Sequence, residues 1–172
     1  MKLTTKFAVA AVIAASGAAA SAQEFNFPLG PDQAVPSNST SAWGAAQLLY
    51  DNGADTFDLD LMVFGIELGD LQGAGPNNTP VHIHNAPRGS NGPIAIDIGN
   101  LGSFVQDGLG IRLQLDDVPI GSFEGELFAG NLYVNIHTAS FPGGQIRGQI
   151  VPAPGALALL GVAGVLATRR RR

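Results

Sequence analysis

An apolar side chain recurs at every second position in several short runs of the chain, and this alternation limits the fold more than any other feature. In residues 57–63 the apolar positions alternate with Asp58, Asp60 and Met62. A period of two puts alternate side chains on one face of a β-strand, whereas a helix needs apolar residues three and four positions apart. Further sets with this spacing are Ile94, Ile96 and Ile98; Ile111, Leu113 and Leu115; Leu132, Val134 and Ile136; and Ile146 with Ile150.

Turn residues separate these runs. Residues 45–50 are predicted to pair with the strand at 57–63 through a hairpin loop at 51–55, where Asn52-Gly53 is expected to supply positive φ angles. The 23 glycines and 11 prolines suit many such turns. No stretch between residues 23 and 150 has a sustained helical period. The pattern therefore predicts an all-β fold, an antiparallel sandwich or barrel, over residues 23–150.

Residues 1–22 are predicted to be a signal peptide. Two lysines precede an apolar run at 7–15, and the small residues Ala20 and Ala22 stand where a signal peptidase recognises its substrate. Cleavage after Ala22 would leave Gln23 as the mature N-terminus. A buried N-terminal helix is the alternative interpretation of the same residues.

Residues 151–172 are predicted to be a sorting tail, so a short helical segment is expected at each end of the chain. Two prolines break the last strand, an apolar run follows at 155–167, and four arginines end the sequence. The apolar run is shorter than the roughly 20 residues of a stable membrane span, and the arginines favour the cytoplasmic side. The predicted motif residues are Val151, Pro152, Ala153, Pro154, Arg169, Arg170, Arg171 and Arg172.

This tail resembles the PEP-CTERM signals that exosortase-type membrane proteases process in Gram-negative bacteria. Ala153 stands where a glutamate is usual in such tails. The resemblance implies export, processing by a signal peptidase and an exosortase-type protease, and transient membrane association through the tail. A plain tail anchor with a basic flank is the alternative.

Several stretches of the middle region resemble the chordin-type (CHRD) domain. The opening at 25–44, the segment Val81-His82-Ile83-His84-Asn85-Ala86-Pro87, and the closing stretches at 130–138 and 143–150 carry the likeness. The resemblance implies a β-sandwich, either immunoglobulin-like or similar to Cu/Zn superoxide dismutase. It also implies an extracellular protein, because in animals the domain occurs in chordin, a binder of growth factors outside the cell.

His82, His84 and His137, the only histidines in the chain, are the candidate metal ligands. Residues i and i+2 of a strand project to the same side, so His82 and His84 can both lean toward one ion while Val81 and Ile83 face the core. The alternation at 132–136 likewise turns His137 away from the core. Arg147, with Gln145 and Gln149, is predicted to lie on the outward side of its own strand.

The three histidines resemble part of the copper site of Cu/Zn superoxide dismutases. That likeness implies a copper or zinc ion held outside the sandwich core, with an open coordination position. Under the alternative interpretation the imidazoles form hydrogen bonds that order the loop at 85–91, since a buried imidazole usually needs a partner on each nitrogen. No cysteine is available for a disulfide, a thiolate ligand or a nucleophile.

Weaker candidates are acidic. Asp51, Asp55, Asp58 and Asp60 offer oxygen ligands for calcium without the spacing of an EF-hand, so an acidic solvated edge is expected. Glu124 and Glu126 lie two apart, which on a strand is typical of the wet face rather than of an acid–base pair.

The negative charge of residues 23–150 bears on which class of partner the domain can bind. The 14 acidic residues all lie within residues 23–150, where only three arginines oppose them. Such a domain repels phosphate backbones, so no nucleic acid partner is expected. The sequence predicts an exported protein of the cell surface or matrix with a binding or structural role, with exopolysaccharide or another surface protein as partner. The alternative is a copper- or zinc-binding metalloprotein.

Overall fold

The computed structural model describes residues 22–152. The predicted helical segments at both ends lie outside these residues, as do Ala20, Ala153, Pro154 and the four terminal arginines. Ala22, the predicted last residue of the signal peptide, is exposed and begins the first strand. Within residues 22–152 no helix is long and apolar enough to cross a membrane.

In the part of the chain that the structure describes, nine strands form two antiparallel sheets packed face to face, which confirms the predicted β-sandwich. The strands are β1 (Ala22–Leu29), β2 (Trp43–Asp51), β3 (Thr56–Phe64), β4 (Val81–Asn85), β5 (Ile94–Ile96), β6 (Val105–Asp107), β7 (Gly110–Pro119), β8 (Leu132–Thr138) and β9 (Phe141–Gln149). Sheet A has the order β1-β2-β3-β7-β6, and sheet B has the order β5-β4-β8-β9.

The alternation read from the sequence sets the core. In β3 the side chains of Phe57, Leu59, Leu61 and Val63 are buried, and the residues between them face outward. Sheet B contributes Val81 and Ile83 from β4 and a further apolar row from β8 and β9. Each such side chain removed from water stabilises the fold by about 1.5–3 kcal/mol.

The two sheets are joined along one side, where the end of β1 meets β9. Gly30 and Arg147 exchange backbone hydrogen bonds of 3.0 and 3.1 Å. Gly148 lies under this crossing, and a Cβ atom there would stand 2.7 Å from Leu29 Cγ and 2.9 Å from Phe27 Cδ2. Only glycine lets the strands approach so closely.

Three local expectations are wrong. In the hairpin at 51–55 the positive φ belongs to Asp55 (59°) and not to Asn52-Gly53, because the loop closes through a bond from the Asp55 amide to the Asp51 carbonyl. Ile98 begins a 3-10 turn (Ile98–Asn100) instead of extending β5. Glu124 and Glu126 lie on a short helix, α1 (Glu124–Phe128), and not on a strand.

Candidate metal centre

Two neighbouring strands of sheet B carry the three histidines. His82 and His84 lie on β4, and His137 lies on β8, whose antiparallel register sets Ile136 opposite Val81 and Tyr133 opposite His84. Val81 and Ile83 enter the core. The strand period therefore turns His82 and His84 to the outward face of sheet B, as the sequence predicts.

That outward face is not open to solvent. His82 is 0% exposed, His137 5% and Arg147 1%, although all three face away from the apolar core. Segments from distant parts of the chain cover them. The covering contacts include hydrogen bonds from Asn38 to the Gln145 carbonyl, from Gln145 to Thr40, and from the Gln149 backbone N–H to Gln33. Sheet B thus carries a second, polar buried layer on the side opposite the core.

The structure brings the three imidazoles together. The ring of His82 lies 5.6 Å from that of His84 and 5.1 Å from that of His137, centre to centre. One nitrogen from each ring lies within 4.8 Å of one nitrogen from each of the others. Ligation of one ion at 2.0–2.1 Å would bring such nitrogens to about 3.4 Å, which needs small rotations of the side chains.

Backbone carbonyls fix the orientation of two rings. His84 Nδ1 is 2.9 Å from the Gly92 carbonyl oxygen, and His137 Nδ1 is 2.8 Å from the Pro142 carbonyl oxygen. A carbonyl only accepts, so each Nδ1 must carry the proton. The lone pair of each neutral ring is therefore on Nε2.

A hydroxyl and a carboxylate fix the third ring. The Thr79 hydroxyl donates to Asp97 Oδ1 at 2.5 Å and lies 2.9 Å from His82 Nε2. Because the hydroxyl proton is committed to Asp97, His82 Nε2–H donates to Thr79, and the lone pair of His82 is on Nδ1. Gly75 makes room for this contact, since a Cβ atom there would stand 3.2 Å from His82 Nε2.

The remaining nitrogens are His82 Nδ1, His84 Nε2 and His137 Nε2. Within residues 22–152, neither His82 Nδ1 nor His84 Nε2 has a hydrogen-bond partner, and both are buried. His137 Nε2 has only the Asn135 amide nitrogen, at 3.5 Å. The hydrogen bonds of the structural alternative thus account for one nitrogen of each ring. The second nitrogen of His82 and of His84 has no partner among residues 22–152, and that of His137 has only a distant one. Neutral imidazole nitrogens of this kind are able to ligate a metal ion.

The surroundings keep these rings neutral. Burial lowers the pKa of His82 to about 4, with a further contribution from the neighbouring His137 and an opposing one from Asp97. Burial also lowers the pKa values of His84 and His137. Burial opposes ionisation of Asp97, but hydrogen bonds from Thr79 and Asn77 outweigh it and lower the pKa of that carboxyl.

The metal-free protein is expected to lose stability as the pH falls from about 6.5 to about 4. Above the unfolded-state value of about 6.5 neither state binds a proton at His82. Between pH 6.5 and 4 the unfolded chain binds a proton at His82, whereas the folded chain does not, because the pKa of His82 in the folded state is about 4. The free energy of unfolding therefore falls by about 3 kcal/mol over this window. Urea unfolding of the metal-free chain at several pH values measures this. A flat profile between pH 6.5 and 4 would contradict it.

Arg147 is linked to the histidine cluster through the ring of Tyr133. Its guanidinium carbon lies 3.5 Å from the centre of the Tyr133 ring, and that ring is stacked 5.0 Å from His84 at 11°. Arg147 donates to the carbonyls of Pro87 and Ser90 and to Gln149 Oε1. The same loop contributes Gly92, whose amide donates to the Tyr133 hydroxyl at 3.1 Å. Arg147 therefore holds the loop that orients His84.

The acidic candidates have local roles instead. Asp51 Oδ1 accepts from the backbone amides of Gly53 and Ala54, and Asp60 pairs with Arg112 through two hydrogen bonds. Among residues 22–152 the three histidines are the only group of three or more His, Cys, Asp or Glu side chains arranged to hold a metal ion. Asp55 and Asp58 are exposed, whereas Asp51 and Asp60 are half-buried, and Asp58 and Asp60 lie on β3 between two other strands and not on an edge.

Sequence reasoning missed two contributors, Thr79 and Asp97, and gave Tyr133 no role beside the histidines. Thr79 is three residues from His82, but nothing in its neighbourhood signals that it bonds an imidazole. Asp97 is 18 residues from Thr79 and follows a short strand. The alternation of β8 does turn Tyr133 to the same side as His137.

Comparison with known proteins gives one match. Residues 25–150 match the protein family described as the CHRD domain. None of the curated proteins and none of the solved structures compared with the chain matches it. The matched range spans all nine strands apart from the first residues of β1, and it includes the three histidines.

Proposed function

Because this chain belongs to the CHRD domain family, whose domains occur in extracellular or secreted proteins, we propose that it is an exported protein that binds a transition-metal ion. His82, His84 and His137 are the ligands. The observation that carries the proposal is the hydrogen bonding of the rings. Each ring has one nitrogen engaged with a carbonyl or a hydroxyl, and the second nitrogens of His82 and His84 are buried without a partner among residues 22–152. One nitrogen from each of the three rings lies within 4.8 Å of the others.

The donor set favours copper or zinc. Imidazole nitrogen suits Cu and Zn, whereas Ca²⁺ and Mg²⁺ prefer oxygen ligands. Two backbone carbonyls and the Thr79–Asp97 pair support the ligands from behind, as outer partners commonly do in histidine metal sites. Three protein ligands leave a further position for water or a small ligand when the ion is bound.

Metal analysis of the protein isolated from its native envelope tests the proposal. We expect copper or zinc at about one ion per chain after dialysis against a weak chelator, because three imidazoles form a single site. The control is protein stripped of metal at pH 3.5, below the pKa of about 4 of His82, and returned to pH 7.5. Failure of the stripped protein to rebind one equivalent of either metal would contradict the proposal.

A surface role is the second candidate. The positive, apolar and small-residue segments of residues 1–22 support export, and the Pro-rich, apolar and Arg-rich segments of residues 151–172 support sorting by an exosortase-type protease in a Gram-negative envelope. Under this proposal the domain has a binding or structural role at the cell surface and not a catalytic one. The two candidates are compatible, since an exported domain can carry a metal.

Intact mass of the exported protein tests both ends at once. We expect an N-terminus at Gln23, in the open or cyclised form, because Ala20 and Ala22 precede it. We expect the C-terminus to lie before Arg169, since an exosortase-type cut removes the basic end. A control without the sorting protease should keep residues 169–172. Recovery of a chain that still begins at Met1 from outside the inner membrane would contradict export by cleavage.

A further inference from the structure

The outward face of sheet A carries a second candidate site, far in the fold from the histidines. The strand register arranges its side chains in rows across the sheet. Pro28, Ala45, Met62 and Arg112 form one row, because each pairs with the next. Ala45 is the smallest of these, so the row dips at its centre.

A shallow trough of about 680 Å³, largely open to solvent, lies over this dip. Ligand sites commonly measure about 300–1,000 Å³, so the trough has the size of a binding site for a small molecule. Its lining includes Asn26, Gln47, Asp60, Met62 and Arg112. Pro28, Ala45 and Met62 therefore form an apolar floor. Arg112, at the end of the same row, joins Asn26, Gln47 and Asp60 in one polar wall.

The polar wall is held in place before any ligand binds. Glu24 accepts hydrogen bonds from Asn26 at 2.6 Å and from Gln47 at 2.7 Å. Arg112 donates twice to Asp60, with Nε at 2.8 Å from Oδ1. These bonds leave amide and carboxylate atoms free to bond a ligand, and paired donors and acceptors of this kind suit hydroxyl groups.

An exposed aromatic pair lies beside the trough, in the next row of side chains on the same face and outside the trough lining. Trp43 and Phe64 are cross-strand partners with their rings stacked 4.5 Å apart at 23°. Trp43 stays 53% exposed. It lies two residues from Ala45 and so projects from the same face about 6.5–7 Å away. An exposed, rigid indole beside a polar trough offers a flat apolar surface to a ligand with an apolar face.

The charge and the strand order of sheet A exclude two classes of ligand. The outward face of sheet A carries the carboxylates of Glu24, Asp58, Asp60, Asp107 and Asp116 against the single guanidinium of Arg112. Phosphate-rich and other anionic polymers are repelled by such a face. The trough lies over β1, β2, β3 and β7, whose backbone groups are paired with neighbouring strands, so a peptide cannot add to it as a further strand.

From this arrangement we infer that the trough binds a neutral oligosaccharide. A pyranose ring has an apolar face of C–H groups and an equator of hydroxyls. The apolar face stacks on Trp43 and the Ala45–Met62 floor, and the hydroxyls bond the Asn26, Gln47 and Asp60–Arg112 wall. The inference is independent of the proposed metal centre, because the trough lies on the other sheet.

Trp43 is the only tryptophan of the chain, and it provides the measurement. The full chain in mild detergent is titrated with the neutral hexasaccharides of glucose (β-1,4 and α-1,4), mannose and xylose, and with hexagalacturonate as the acidic counterpart. We expect at least one neutral oligomer to shift the indole emission to the blue and the acidic one to leave it unchanged. By calorimetry, Trp43→Ala is expected to lower the affinity for that neutral oligomer at least about tenfold, and Gln47→Ala about threefold.

Leu109→Ala is the matched control, since Leu109 is 95% exposed and lies in the turn between β6 and β7, away from the Ala45–Met62 row. Its affinity should equal that of the unmodified chain. Three results would overturn the inference. They are no binding of any neutral oligomer at millimolar concentration, equal binding of the acidic one, or equal affinity in Trp43→Ala and Leu109→Ala. Displacement of the sugar by a peptide of residues 155–172 at equal affinity would identify the tail as the occupant instead and would also overturn it.

Discussion

Replacing His84 by alanine is expected to lower the affinity of the full chain for Cu(II) and Zn(II) by at least about 100-fold. Loss of an outer partner of a metal ligand commonly costs 10–100-fold, so loss of a ligand should exceed that range. His84 Nε2 is buried and has no partner within residues 22–152, and its ring lies 6.1 Å from that of His137. Competition against a chelator of known affinity, at pH 7.5, measures the change.

The metal-free fold is expected to survive this change. Val81 and Ile83, on the opposite face of β4, remain in the core. Thermal unfolding with and without metal separates the two effects. At a metal concentration 100 times the dissociation constant, the unmodified chain should gain about 2.7 kcal/mol and His84→Ala almost nothing at the same concentration.

Thr79→Val is a second variant, for which a smaller loss of metal affinity is expected. It keeps the shape of the side chain but removes the hydroxyl that bonds His82 Nε2. The affinity is expected to fall by about 10–100-fold, less than for His84→Ala. Equal affinity in the unmodified chain and in His84→Ala would remove the metal centre and leave the histidines as structural groups that order their loops.

The faces of the strands could be predicted because alternation is a local property. A residue and its second neighbour share a side of a strand whatever the rest of the chain does. That is why His82 and His84 were placed together and away from Val81 and Ile83. The pairing of β4 with β8, which brings His137 to them, was implied only by the family resemblance, since no local pattern fixes which strands become neighbours.

The burial and hydrogen bonding of the site could not be predicted in the same way. Outward-facing residues of a strand are usually exposed to solvent, so the burial of Arg147 and Gln149 is not predictable from the sequence pattern. They are buried because segments near residues 33–40 and 86–92 lie over sheet B. The bond that sets the His82 tautomer runs through Thr79 to Asp97, a contact between a loop and the end of β5 that carries no periodic signal.

The local differences between the predicted and the observed structure have similar causes. Asn52-Gly53 is a strong sign of a two-residue turn, but this hairpin has four loop residues, and its closing geometry moves the positive φ to Asp55. Glu124 and Glu126 alternate like strand residues, yet five residues are too few for a period to distinguish a strand from one turn of helix.

Replacing Arg147 by methionine is expected to destabilise the fold by about 3 kcal/mol, which lowers the melting temperature by about 10 °C. Arg147 is 1% exposed and has no carboxylate partner within residues 22–152, so its burial costs desolvation and lowers its pKa. Methionine removes that cost and keeps much of the volume. It also leaves Gln149 Oε1 and the carbonyls of Pro87 and Ser90 without their donor, and unsatisfied buried acceptors cost more than the desolvation that is recovered.

Arg112→Met is the matched control. Arg112 is also held by hydrogen bonds from its guanidinium, but it lies on the open face of sheet A and is 34% exposed. Its ion pair with Asp60 is screened by water, so the melting temperature should fall by less than about a third as much. Hydrogen exchange localises the effect. The amide of Gly92, which donates to Tyr133, should exchange faster in Arg147→Met and at its normal rate in Arg112→Met. If the two variants melt together, the buried guanidinium does not hold the loop over His84, and the orientation of that ligand must depend on Tyr133 and the Gly92 carbonyl alone.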